Sequence, residues 1–68
     1  MSFNQLFDVN GTTVTPKAVI RINATTFTPA VPFDSQVVMI DNAPFSQYIG
    51  RDAEVRKEQD VYVVLSFY

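Results

Sequence analysis

The sequence predicts a mainly β protein, a small antiparallel sandwich or open barrel of four to five strands with one short helix or 3₁₀ turn. Three observations carry that expectation. Val and Ile total fourteen against two Leu. Six Thr and nine aromatics add further residues that fit a pleated surface better than a helix. Short apolar runs alternate with Asn, Gly, Pro and Asp clusters at turn-like spacing. The chain has 68 residues, enough for one domain spanning 1–68.

The elements follow in order. Phe3 to Val9 is expected as a first strand, with Phe3, Phe7 and Val9 alternating around Leu6. Asp8-Val9-Asn10-Gly11 is a turn signal, since Asn-Gly tolerates positive φ. Lys17 to Ala24 alternates cleanly, with Ala18, Ile20, Ile22 and Ala24 sharing one face. Pro29-Ala30-Val31-Pro32 interrupts pairing, because proline donates nothing to a ladder. Ser35 to Asp41 is expected as a strand around Val37-Val38-Met39-Ile40. Asn42 has the chemistry of an N-cap. Phe45, Tyr48 and Ile49 then fall at i, i+3 and i+4 before Gly50, so a short helix or 3₁₀ turn is expected over Pro44 to Ile49. Arg51 to Asp60 holds seven of the twelve charged residues but no helical apolar stripe. Ala53 and Val55 alternate with Glu54 and Arg56, favouring a strand into a Lys57-Glu58-Gln59-Asp60 turn over a helix. Val61 to Tyr68 is the last strand.

Asn10-Gly11-Thr12-Thr13-Val14-Thr15-Pro16 recurs thirteen positions later as Asn23-Ala24-Thr25-Thr26-Phe27-Thr28-Pro29. Two copies are too few for a solenoid. The pattern describes a reused cassette: Asn for the turn, Thr for an exposed strand, Pro to stop pairing. A sharper reading makes each copy a ridge of hydroxyls with one apolar residue, presented to a partner. The two Asn-x-Thr sequons at Asn10 and Asn23 are read as chance, because the start Met1-Ser2-Phe3-Asn4-Gln5 has no basic, apolar signal-peptide character. No stretch approaches the roughly 20 apolar residues of a membrane span. The expected location is the cytoplasm or a virion.

Chemistry is constrained by what the sequence omits. Without Cys or His there is no disulfide, no Cys/His zinc site, no Cys nucleophile and no His base. Asp8-Val9-Asn10-Gly11 echoes a calcium loop but lacks its further carboxylates and closing Glu. Asp34, Asp41, Asp52 and Asp60 are scattered beside turns, where Asp bonds nearby backbone. Two glycines do not make a phosphate loop. No catalytic residue, metal or cofactor is expected, and the protein is not expected to be an enzyme. Five basic and seven acidic residues give a net charge of −2 and no basic run, which argues against nucleic acid as a partner.

A protein partner is expected instead, either copies of the chain itself or a larger assembly. A chain this short buries only about 60% of its unfolded surface. The last strand carries Val61, Val63, Leu65 and Phe67 on one face, and Tyr62, Val64 and Tyr68 on the other, with only Ser66 polar. One face of a small antiparallel sheet normally meets water. Val63 and Leu65 are therefore expected to face the core, and Tyr62, Val64 and Tyr68 a partner. Thr13, Thr15, Thr26 and Thr28 are the next contact residues. The expected function is a structural or assembly subunit, a cement or decoration component of a repetitive complex such as a viral particle. That context suits a tiny, Cys-free, Thr/Val-rich β protein. The alternative is a small binding module or inhibitor that docks on one target by strand addition.

Overall fold

The computed structural model describes all 68 residues, and half of them lie in strands. Nine short strands form three sheets: β1 (Phe7–Asn10), β2 (Thr13–Pro16), β3 (Val19–Ile22), β4 (Thr25–Phe27), β5 (Phe33–Asp34), β6 (Met39–Ile40), β7 (Ala43–Pro44), β8 (Ala53–Glu58) and β9 (Val61–Phe67). The first sheet has the order β1-β2-β5, the second β4-β3-β9-β8, and the third is the β6-β7 ribbon. The mainly β expectation holds, but the strands are more numerous and shorter than four or five. Nor is the pairing wholly antiparallel, for β3 and β9 run parallel from Val19↔Val61 to Ile22↔Val64.

The expected first strand begins instead as one helical turn, Phe3–Leu6. Gln5 Oε1 accepts the Ser2 N–H at 2.9 Å, half of a capping box. Phe3, Leu6 and Phe7 fall at i, i+3 and i+4, and this turn drives all three into the core. A hairpin does follow, but the turn expected over Asp8 to Gly11 sits later: Asp8, Val9 and Asn10 belong to β1, and the loop is Gly11-Thr12, between Asn10 and Thr13. Gly11 has φ +63°, while Asn10 stays in the strand, so glycine alone supplies the left-handed residue.

The strand expected over Ser35 to Asp41 shrinks to Met39–Ile40. Turn chemistry overrides β-propensity there. Asp34 Oδ1 accepts the Gln36 N–H at 2.9 Å, and the Asp34 carbonyl accepts from Val37 and Val38 at 3.1 Å. Asn42 is not a helix cap. Asp41 and Asn42, with φ of 52° and 65°, form the two-residue loop joining β6 to β7. The expected 3₁₀ turn follows at Phe45–Tyr48, preceded by Pro44 without a side-chain cap. The charged segment is the expected hairpin, β8 turning through Gln59-Asp60 into β9.

The core lies where the sheets meet. Phe45 is fully buried, with its ring centroid 5.9 Å from Phe3, 5.3 Å from Phe7, 5.7 Å from Phe27 and 4.9 Å from Phe33. Val14, Ile20, Ile22, Ile40, Ala53 and Val64 complete it. Ser35, 1% exposed, is the polar knot beside it: its N–H and hydroxyl both donate to the Thr12 carbonyl at 2.8 Å, and its carbonyl accepts from Ser46 at 2.9 Å. No buried side-chain nitrogen or oxygen lacks a hydrogen-bond partner.

Candidate functional site

Up to the bulge at Leu65 the faces of β9 are the reverse of the expectation; beyond it Phe67 lies on the expected inner face, and Val63 is buried although it points outward. Glu54 pairs with Ser66, but Val55 pairs with Val64, so Leu65 is an extra residue, a β-bulge. Ile20 and Ile22 point into the core, and their partners across the ladder are Tyr62 and Val64. Below the bulge the inward set is therefore Tyr62 and Val64. Above it the phase slips by one, and Phe67 turns inward opposite buried Ala53. Leu65, expected in the core, is 52% exposed, whereas Val64, expected at a partner, is 5% exposed.

The outer face of β9 is not bare either. Val63 sits between Arg21 on β3 and Arg56 on β8 and is 8% exposed. Arg21 and Arg56 both reach Glu58, at 3.5 and 2.6 Å, so an ionic arch links the strands flanking β9. Arginine stems can cover apolar surface while their charged heads stay in water, which suits a valine flanked on both sides by arginine. From Val61 to Val64 both faces of this strand are thus largely covered within the chain, and Leu65 is the apolar residue left exposed.

The bulge leaves a cleft of about 250 Å³. Ile22, Ile40, Val64 and Phe67 line it with apolar surface; Asn23, Asp41 and Ser66 add polar groups, and Tyr48 and Leu65 complete the wall. Two left-handed turn residues shape it. Asn23, with φ 55°, ends β3, and Asp41 ends β6. Asn23 Nδ2 donates to Asp41 Oδ1 at 2.9 Å and pins the turns together. Tyr48 lies 4.8 Å from Phe67, ring to ring, and its hydroxyl donates a long 3.4 Å bond to the Ile40 carbonyl. At 250 Å³ the cleft is smaller than the roughly 300–1,000 Å³ of ordinary small-molecule sites. It suits one or two inserted side chains. Asp41 is its single carboxylate and no cation lines it.

No family model, curated protein or solved structure matches this chain.

The residues expected to meet a partner do not form one patch. Val64 lines the cleft from inside the core. Tyr62 is half-buried, with the Lys57 ammonium 5.4 Å from its ring centre. Tyr68 is 65% exposed beside the cleft residue Phe67, and its hydroxyl donates to Glu54 Oε2 at 3.1 Å. Thr13 and Thr15 lie on β2 opposite Asn10 and Asp8, on a polar outer face. Thr26, on β4, pairs with Arg21 on β3, and Thr28 follows β4. In both repeat copies the apolar residue, Val14 or Phe27, is buried in the core. The repeat is therefore a folding cassette whose apolar member points inward, not outward. Leu65, Asp41, Asn23 and Tyr48 were missed as site residues. Turn chemistry marks Asn23 and Asp41 in the sequence, but nothing there marks the bulge.

Proposed function

We propose that the chain is a non-enzymatic assembly protein, a subunit or decoration component of a larger repetitive complex, with a viral particle as the leading context. One observation carries this reading. A chain with a closed core and no unsatisfied buried side-chain polar atom still exposes Val31, Val37, Met39, Leu65 and Tyr68 by more than half. Folding alone does not require large apolar side chains there, and contact with another chain would remove them from water.

Strand addition to a single target is the weaker reading. The exposed edge β8 carries Glu54, Arg56, Lys57 and Glu58 among its six residues, and β4 is three residues long. Charged and short edges resist further pairing. Contact through faces and loops suits this surface better.

The test is the mass of the folded chain, by light scattering after size exclusion and by native mass spectrometry, alone and from its source. A symmetric oligomer or a particle-bound copy supports the reading. A chain that stays monomeric at its highest soluble concentration, and is free in its source, removes it. The paired variant Val31→Glu/Val37→Glu should keep the melting midpoint and lose the association.

A further inference from the structure

The tip of the β1–β2 hairpin holds a reactive pair, Asn10 and Gly11, both exposed. The Asn10 carboxamide takes part in no hydrogen bond within the protein. Gly11 lies outside every strand and helix, and its N–H donates to no backbone carbonyl. A Cβ at Gly11 would meet nothing within 4 Å, so the space beside it is open. Asn10↔Thr13 is the last pair of its ladder, and terminal pairs open at little cost. The other asparagines are placed differently. Asn23 Nδ2 is held on Asp41 Oδ1 at 2.9 Å. Asn23 and Asn42 are each followed by Ala, whose Cβ crowds the next nitrogen, and Asn4 lies in the Phe3–Leu6 helical turn before Gln5.

We propose that Asn10 is a site of spontaneous covalent modification, deamidating to aspartate and isoaspartate through a cyclic imide with Gly11. The Gly11 amide nitrogen gives up its proton to base and attacks the Asn10 Cγ. An N–C bond forms, the Cγ–Nδ2 bond breaks, and the leaving nitrogen takes up a proton and departs as ammonia. Water then adds to one of the two imide carbonyls and opens the ring. Opening on the side-chain carbonyl restores the ordinary backbone with aspartate. Opening on the main-chain carbonyl runs the backbone through Cβ and gives isoaspartate. Only water is consumed, and nothing is oxidised or reduced. The position gives this step a consequence for the fold. Gly11-Thr12 is the whole loop, and the Thr12 carbonyl accepts both the N–H and the hydroxyl of buried Ser35 at 2.8 Å. Isoaspartate adds one carbon to the main chain just before that loop, so the β1–β2 register and the Ser35 anchor no longer fit together. Either product also adds a carboxylate two positions from Asp8, on the same side of β1.

The experiment is ageing of the full chain in neutral and in mildly alkaline buffer. Peptide mapping by mass spectrometry locates the change of NH₂ to OH, and an isoaspartyl methyltransferase with S-adenosylmethionine counts isoaspartate. Asn10 should convert first and faster at the higher pH, while Asn4, Asn23 and Asn42 stay intact over the same time. The folded chain should react no more than roughly tenfold slower than a free peptide spanning Val9 to Thr13, because only the end of the ladder must open. The isoaspartate fraction should melt below the fresh chain. Freshly made Asn10→Asp should melt close to it, which separates the altered backbone from the added charge. Asn10→Gln, whose longer side chain closes its ring slowly, should age with no change in melting midpoint. An Asn10 that stays amidated after the peptide has fully converted overturns the proposal, and so does earlier conversion of any other asparagine. An isoaspartate fraction that melts like the fresh chain overturns the coupling to Ser35.

Discussion

Ala30 shows how far local chemistry can be bent. Thr28 to Val31 forms a turn in which the Val31 N–H donates to the Thr28 carbonyl at 3.3 Å, with Pro29 at the second position. Ala30 then holds φ 65°, a place normally given to Gly or Asn. Left-handed backbone costs an L-residue roughly 1–2 kcal/mol. Ala30→Gly should therefore stabilise the chain by about 1 kcal/mol, even after the extra freedom it gives the unfolded state. A lower urea midpoint would contradict the strain. Ser35 is the other telling residue. Its hydroxyl bonds the Thr12 carbonyl, but its own N–H serves the same acceptor. Ser35→Ala therefore leaves no orphaned carbonyl and should cost only about 1 kcal/mol. A cost several times larger would mean that the hydroxyl does more than close this loop.

Among the elements, the β8–β9 hairpin best shows how a single extra residue resets a pattern. Alternation along β9 sorts Val61, Val63, Leu65 and Phe67 from Tyr62 and Val64. The bulge at Leu65 breaks that sorting and exchanges the fates of Val64 and Leu65. The two neighbours should then respond oppositely to truncation. Val64→Ala removes buried methyl groups and should cost roughly 2 kcal/mol. Leu65→Ala should change stability by less than about 0.5 kcal/mol. Thermal and urea unfolding of the pair measures this directly, and equal costs would return Leu65 to the core.

For the whole molecule, stability is concentrated where the sheets meet. Phe45 packs within about 6 Å of four other phenylalanines and joins elements from both larger sheets. A domain of this size has a margin of only about 3–5 kcal/mol, and Phe→Ala in a core costs about the same. Phe45→Ala should therefore be largely unfolded at room temperature, while Phe45→Leu should fold with a lowered melting midpoint. Far-ultraviolet circular dichroism and near-ultraviolet signals of the tyrosines would report both. An Ala variant with a wild-type melting curve would show that the core is held elsewhere.

By itself the sequence determined the β class, the hairpin at Gly11, the buried side of Ile20 and Ile22, the 3₁₀ turn after Pro44 and the charged β8–β9 hairpin. Each depends on neighbours within a few residues: a turn dipeptide, a two-residue alternation, a spacing of three and four. The tertiary structure alone decided what depends on distant partners. It set β3 parallel to β9, thirty-nine positions or more apart in the chain, put Arg21 and Arg56 on either side of Val63, and pulled Phe3 and Leu6 into the core through a helical turn. It also chose Leu65 as the bulge, because Phe67 could then reach the core beside Ala53. The cleft follows from that choice. Its walls come from four separate segments of the chain, and no local pattern records that Asn23, Asp41, Tyr48 and Leu65 meet.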